Sequence, residues 1–253
     1  MTNVQPKKYL GQHFLTDTGI AKKICDSLPP ECVNLLEIGP GKGVLTQYLL
    51  ELYNFKAIEI DSEAIDYLGQ TFPQSAGKIV HADFLKTDLL AVFPEHFDII
   101  GNFPYNISSQ ILFKVIDYKD NVDCVVGMFQ KEVAQRIISP PGSKVYGILS
   151  VLIQTWYDCE YLFTINEGSF FPAPKVKSGV IRLRRNAVKD IGVSEKTYIN
   201  VVKTAFNQRR KTLRNSLRSF GLEDSEILQK RPEQLKWQEF VELTKQYVSK
   251  NCK

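Results

Sequence analysis

Most of the chain alternates short apolar runs with amphipathic segments. A helix is expected from Asp17 or Thr18, either of which can cap it; Ile20, Ile24 and Leu28 share one face, and Pro29-Pro30 ends it. VNLLEIGPGKGVLTQYLLELY (33–53) reads as a strand, a glycine turn and a helix with Leu45, Leu49 and Leu52 in register. FKAIEID (55–61) is a second strand and SEAIDYLGQTF (62–72) a second helix. KIVHAD (78–83), FDIIGN (97–102) and VDCVVGMF (122–129) are further strands, the last leading into a helix KEVAQRII (131–138). YGILSVLIQTWY (146–157) and CEYLFTI (159–165) add apolar material, and SGVIRLR (178–184) closes the region as a strand.

Strands alternating with helices at this spacing imply a mostly parallel sheet covered on both faces. Right-handed crossovers then align the strand C-termini along one edge, where open α/β sheets bind their ligands. The glycine turn, Glu59, Asp83 and Asn102 all fall at such ends. From about Asn186 only helical patterns remain: a segment near 194–208, RRKTLRNSLRSF (209–220), SEILQK (225–230) and WQEFVELTKQYV (237–248). The expected architecture is therefore an α/β domain over 1–185 and a small all-helical domain over 186–253.

Composition changes this picture little. With 253 residues, 43% of them hydrophobic and 24% charged, the chain is an ordinary globular one. No apolar run approaches the roughly 18 residues that span a bilayer. The N-terminus, MTNVQPKKYLGQHFL, lacks the apolar stretch of a signal peptide, so a cytoplasmic location is expected. Cys25, Cys32, Cys124, Cys159 and Cys252 are odd in number and never form a C-x-x-C pair, which argues against a disulfide framework and a zinc site. His13, His81 and His96 lack metal-ligand spacing, and no metal is expected. Charge matters more. The net +4 hides a surplus between Arg182 and Arg218, where the only acids are Asp190 and Glu195. Such a one-sided run points to a polyanionic partner.

Candidate chemistry begins at Gly39-Pro40-Gly41-Lys42-Gly43, between a strand and a helix. Glycines there let a ligand approach the backbone, and the helix start offers free N–H groups. Glu59, twenty positions after Gly39, can accept from ribose hydroxyls. Val44 breaks the full G-x-G-x-x-G fingerprint, and there is no P-loop. A nucleoside without pyrophosphate, such as S-adenosylmethionine, suits that turn better than a dinucleotide, although a nicotinamide cofactor remains an alternative. Asp83 can accept from an adenine amine or serve as a cap. In DIIGNFPYNISS (98–109), Asn102 offers an amide oxygen, Pro104 an outward-facing preceding carbonyl, and Tyr105 a flat face with a polar tip. The group suits a planar, amino-bearing ring, or it is a turn.

The chain resembles the ribosomal RNA adenine dimethyltransferase family, and its bacterial small-subunit branch in particular. GQHFLTD (11–17), LEIGPGKGVLT (36–46), AIEID (57–61), HADFL (81–85) and GNFPYNISS (101–109) carry the resemblance. FQKEVAQRI (129–137), YGILSV (146–151), FFPAPKVKSGVIRL (170–183) and AFNQRRKTLRNSL (205–217) continue it in the family's order. The resemblance implies a Rossmann-like, S-adenosylmethionine-dependent methyltransferase domain with a small C-terminal all-helical, RNA-binding domain. It implies cofactor contacts at His13, Leu15, Gly39, Glu59, Asp83 and Asn102, to which the glycine turn adds Gly41. It places the target base at Asn102, Pro104 and Tyr105, with Phe170 as the candidate for the base's other face. His13 stands where the family usually has Asn, and Phe103 replaces the commoner Leu.

The implied activity is N6,N6-dimethylation of two adjacent adenines in the 3′-terminal hairpin loop of small-subunit rRNA, within an immature small subunit. Asn102 and the Phe103–Pro104 carbonyl would accept both amine hydrogens. Arg209, Arg210, Lys211, Arg214 and Arg218 are the expected RNA contacts, with Arg210, Arg214 and Arg218 at i, i+4 and i+8 of one helix. Rival readings are a large-subunit resistance methyltransferase, a non-catalytic assembly factor and a nicotinamide oxidoreductase.

Overall fold

The computed structural model describes residues 4–251; residues 1–3, Cys252 and Lys253 lie outside that range. Contacts divide the chain into two compact units: one runs to Ala134 and resumes over Glu160–Arg185, and the other comprises Gln135–Cys159 and the chain from Asn186.

The first unit holds β1 (Phe14–Leu15), α1 (Thr18–Cys25), β2 (Asn34–Ile38), α2 (Thr46–Leu49), β3 (Asn54–Glu59), α3 (Ser62–Thr71), β4 (Ile79–His81), α4 (Leu89–Val92), β5 (Phe97–Asn102) and α5 (Ser108–Asp117). β6 (Val122–Gln130) leads into α6 (Lys131–Ile138), which passes into the second unit. There α7 (Ile148–Trp156) precedes β7 (Tyr157–Ile165), which returns to the first unit; β8 (Phe170–Phe171) and β9 (Ser178–Arg185) complete it.

Seven strands form one sheet in the order β4-β3-β2-β5-β6-β9-β7. β2 pairs parallel with β3 and β5, β3 with β4, and β5 with β6, while β9 runs antiparallel to β6. The chain moves outward from β2 in one direction through β3 and β4, then restarts on its other side at β5. The β2–β5 junction is thus the topological switch point, where ligands of such sheets sit. This is the α/β fold expected from the alternating pattern.

Successive residues of β5 serve opposite faces. Ile100 joins the cluster of Ile24, Leu45, Leu49, Val126 and Met128, whereas the equally buried Ile99 stays outside it. Asp17 caps α1, its side chain accepting from the Ile20 N–H at 2.9 Å. α5, for which no sequence signal was read, buries Ile111, Leu112, Val115 and Ile116 on one face.

In the second unit α8 (Glu195–Asn207) and α10 (Trp237–Asn251) pack against α7, and α9 (Leu213–Ser216) packs on α8. α7 is apolar on nearly every side, so it needs helices around it rather than one sheet face. Trp156 meets Tyr198 edge-on at 6.0 Å, and the Tyr198 and Thr155 hydroxyls bond at 2.8 Å. Gln135–Cys159 therefore groups with the C-terminal helices, which differs from a single boundary after Arg185.

Three predicted helices are corrected. The one after the glycine turn is α-helical only over Thr46–Leu49 and leaves Leu52 exposed, and SEILQK forms a 3₁₀ turn over Glu226–Gln229. RRKTLRNSLRSF is not one helix: the α-helical part is only Leu213–Ser216, followed by a 3₁₀ turn over Arg218–Phe220. The Leu213 N–H leaves the segment to donate to the Lys230 carbonyl, Thr212 supplies no side-chain cap, and Gly221 at φ +58° ends the run. Leu213, Leu217 and Phe220 are buried, so tertiary burial rather than helical periodicity sets this conformation.

Candidate active site

A cavity of about 240 Å³ opens at the switch point. Its walls come from Tyr9–Phe14, the ends of β2 and β3, the segment after β4, and Asn102–Ile107. His13, Gly39, Gly41, Glu59, Asp83, Asn102, Pro104 and Tyr105 all line it. Residues from nine to 107 thus meet at the rim expected from the strand ends.

The glycine turn is shaped from within. Gly39, Gly41 and Gly43 have φ of +65°, +55° and +74°, a region that L side chains rarely adopt. A side chain on Gly41 would strike the Phe14 ring, whereas one on Gly39 would meet nothing within 4 Å. That open side lets a ligand reach the backbone at Gly39.

Glu59 is almost fully buried and organises the turn. One carboxylate oxygen accepts from the Gly41 N–H at 3.0 Å; the other accepts from Ile60 and Asp61 at 2.8 and 2.9 Å. Burial raises its pKa against the lowering effect of these three bonds. Asp83 is half spent: Oδ1 accepts from the Leu85 N–H at 2.9 Å, and Lys86 lies 3.6 Å from Oδ2. Asp83 thus acts as a loop carboxylate closing the turn after β4 as well as lining the wall, while Asp88 caps α4.

Asn102 ends β5. Its Nδ2 donates to the His13 carbonyl at 2.8 Å, which leaves Oδ1 as the acceptor. The His13 side chain instead donates from Nδ1 to the Pro172 carbonyl at 2.8 Å and stacks on Tyr105, centroids 5.5 Å apart at 27°. The Tyr105 hydroxyl bonds Ser178 Oγ at 2.5 Å, and burial raises its pKa. Phe103 is buried beneath the corner, meeting Phe129 edge-on at 5.1 Å. Paired Gly101 and Gly127 make room for its ring, since a side chain on either would strike it.

Two expected contacts lie off the main cavity. Leu15 is buried and opposes Phe170 in the β1–β8 ladder; it borders a smaller cavity with Glu37, Gly39 and Asn102. Phe170 is 4% exposed and packs in the core cluster with Leu15, Ile165 and Val180. In this structure Phe170 packs as a core residue and lines neither cavity, while its neighbour Phe171 is exposed. The expected basic residues are all exposed: Arg209 bonds the Lys144 carbonyl and Arg214 pairs with Asp224. With Arg210 ahead of α9 and Arg218 after it, they do not share a helix face.

Sequence reasoning missed Glu37. It is fully buried, accepts from Thr46 Oγ1 at 2.7 Å, and burial lifts its pKa to about 8, so it is largely protonated at neutral pH. The signal was present: one acid inside the apolar run NLLEI, on a strand enclosed on both faces. Ile60 and Phe84, which add apolar wall, were missed too.

The donor set decides what the cavity fits. None of its described lining residues is Lys or Arg, while Glu59 and Asp83 face it with apolar Ile38, Ile58 and Phe84. A pyrophosphate would find no cation there; a nucleoside bearing a positive sulfonium would find carboxylates and an apolar slot. Among the described residues no group of three His, Cys, Asp or Glu is placed to hold a metal, and no helix is long and apolar enough to cross a membrane.

An acidic, cation-free cavity at the switch point of a mostly parallel sheet suits a positively charged nucleoside cofactor and fits one class, the S-adenosylmethionine-dependent methyltransferases. Within it, the family profile described as ribosomal RNA adenine dimethylase matches residues 3–247, and the chain belongs to that family. It is therefore an rRNA adenine methyltransferase whose methyl donor is S-adenosylmethionine. "Ribosomal RNA small subunit methyltransferase A" of Parabacteroides distasonis is 56% identical over 251 residues, covering 96% of this chain and 94% of the relative. The protein of that name from Cytophaga hutchinsonii is 54% identical over 252 residues, covering 96% and 98%. Among solved structures, a dimethyladenosine transferase from Plasmodium falciparum superposes with TM-score 0.79 at 25% identity, covering 94% of this chain and 98% of that one. The 23S rRNA methyltransferase ErmE gives TM-score 0.68 at 25% identity, covering 92% and 100%.

Proposed function

We propose that this enzyme dimethylates N6 of two adjacent adenines in the 3′-terminal hairpin loop of small-subunit (16S) rRNA, acting in the cytoplasm on an immature small subunit. The observation that carries the reading is the orientation of Asn102. Its amide nitrogen is committed to the His13 carbonyl, so Oδ1 is the acceptor beside Pro104 and Tyr105. The full-length similarity to proteins named for the small subunit supports the choice of rRNA.

Each residue then has a task. Glu59 holds the glycine turn through Gly41 and presents carboxylate to ribose hydroxyls; Gly39 leaves room for the nucleoside; Asp83 accepts from its adenine amine. Leu15 and the His13 backbone support this wall. When bound, S-adenosylmethionine supplies an electrophilic methyl group. In the first transfer Asn102 Oδ1 and the carbonyl preceding Pro104 accept the target amine's two hydrogens, holding its lone pair out of conjugation with the ring; in the second, the one remaining hydrogen uses one of these acceptors. Positioning of this kind supplies much of the rate, and no dedicated base is required. His13 covers one face of the Tyr105 ring, so the target base stacks on the other.

The target adenine must leave its stack, which costs least in a loop. Exposed Arg209, Arg210, Lys211, Arg214 and Arg218 contribute phosphate contacts. The test is methyl transfer to purified, unmethylated small and large ribosomal subunits, read by primer extension. Two adjacent stops in small-subunit rRNA are expected. Modification confined to large-subunit rRNA would overturn the proposal in favour of the resistance-type activity; no transfer to either would leave an assembly role.

A further inference from the structure

The ladder that buries Phe170 exposes its neighbour. In this antiparallel pair Leu15 faces Phe170 and Phe14 faces Phe171. Adjacent residues of a strand point to opposite sides. One pair therefore enters the core, and Phe171 is left 57% exposed. Its partner Phe14 lines the main cavity and has Lys42 Nζ 5.3 Å from its ring centroid. Beyond Phe171 the loop runs Pro172-Ala173-Pro174-Lys175-Val176-Lys177, with only Pro174 buried. The Pro172 carbonyl is tied to His13, whose ring lies on Tyr105, so the loop is anchored beside the base-binding corner. Among the described residues Lys175 and Lys177 carry no ion pair.

A singly exposed aromatic is unremarkable on a protein surface. An aromatic ring with two unpaired lysines beside a cavity for an extruded base is a different arrangement. Extruding one base strips its neighbour of a stacking partner. Single-stranded nucleic acid is commonly held by an aromatic face for the base and cations for the backbone. We propose that Phe171 is the stacking platform for the nucleobase adjacent to the target adenine, with Lys175 and Lys177 holding the phosphates around it. The inference rests on the reading that the cavity receives an extruded rRNA adenine. If two neighbouring adenines are modified in turn, the platform holds one while the other occupies the cavity.

The test is single-turnover methyl transfer to unmethylated small subunits by wild type, Phe171→Ala, Phe171→Leu, Phe171→Trp and the double variant Lys175→Ala/Lys177→Ala. Phe171→Ala should raise the subunit concentration for half-maximal rate about tenfold, the scale of one lost base–aromatic stack. Its melting temperature and S-adenosylmethionine affinity should match wild type. Phe171→Leu should behave as Phe171→Ala, because it keeps apolar bulk without an aromatic face, and Phe171→Trp should restore wild-type behaviour. The lysine variant should flatten the salt dependence of subunit binding. If Phe171→Ala or Phe171→Leu matches wild type in an active preparation, the platform is overturned while the proposed function stands. If wild type itself transfers no methyl to small subunits, the proposed function falls and takes the platform with it.

Discussion

The corner at Asp98–Ser109 and the basic run at Arg209–Phe220 carry signals of similar strength in the sequence, yet only one is arranged as its spacing suggests. Asn102 is held by ladders: β5 lies between β2 and β6, with Asn102 opposite Met128. Once those strands pair, the residues after them can only emerge at the rim. The basic run has no such frame. Its α-helical part is four residues, and its conformation depends on Leu213, Leu217 and Phe220 finding cover and on one bond to Lys230. Position at a strand end transfers from sequence to space; position along a short polar helix does not.

The sharpest way to break this contrast is Asn102→Ala. It removes the proposed acceptor for the target amine and frees the His13 carbonyl. Loss of one preorganised hydrogen-bonding group at a transition state typically costs about 100-fold or more in rate. Methyl transfer should fall by that order, with weaker cofactor binding by calorimetry. A wild-type rate would reduce the corner to a turn.

The next effect lies inside the rim. A carboxyl whose folded pKa is raised contributes stability that is intact below its unfolded pKa and lost as pH climbs through the folded value. For Glu37 that window runs from the ordinary carboxylate range to about 8. Glu37→Gln keeps an acceptor for Thr46 and cannot ionise. Denaturant unfolding at pH 6 and pH 9 should show wild type losing on the order of 2 kcal/mol more than the variant, since each pKa unit is worth about 1.4 kcal/mol. Equal losses would mean that Glu37 ionises freely.

A smaller effect is expected in the basic run, where the structure changes which residues to choose. Arg214 is paired with Asp224 and Arg209 is bonded to the Lys144 carbonyl, whereas Arg210 and Lys211 are exposed ahead of α9. Replacing Arg210 and Lys211 together should weaken rRNA binding and reduce its logarithmic salt slope by about 1–2. S-adenosylmethionine affinity should not change. An unchanged slope would show that this run only solvates its surface.

What could be read in advance follows the same division. The sheet and the rim positions of the glycine turn, Glu59, Asp83 and Asn102 were legible because short continuous apolar runs and strand-end positions are local patterns. Glu37 was not, because its role comes from enclosure by elements distant in sequence. Gln135–Cys159 was assigned to the α/β region, yet α7 has apolar residues all around it and packs with α8 and α10. Phe170 and Phe171 are the sharpest case. Motif matching selects Phe170, but a two-residue ladder decides which ring is buried, and nothing in FFPAPK reveals that phase.

The least disruptive change refines the corner itself. Tyr105 has one ring face covered by His13 and its hydroxyl on Ser178, so Tyr105→Phe keeps the face assigned to the base. Stacking at an aromatic contributes roughly 1–3 kcal/mol, and all of it should survive in Phe but be lost in Tyr105→Ala. The phenylalanine variant should therefore transfer methyl groups within about threefold of wild type, well under 1 kcal/mol by the tenfold-per-1.4 rule. Its cost should appear in stability instead. Ser178 is fully buried, and its hydroxyl loses the Tyr105 partner, a penalty of about 1–3 kcal/mol. Removing both partners at once avoids that penalty, so Tyr105→Phe/Ser178→Ala should regain stability over the single variant. Single-turnover rates and denaturant midpoints of the three variants separate the roles. A rate for Tyr105→Phe as low as for Tyr105→Ala would move the hydroxyl from ring placement into the reaction.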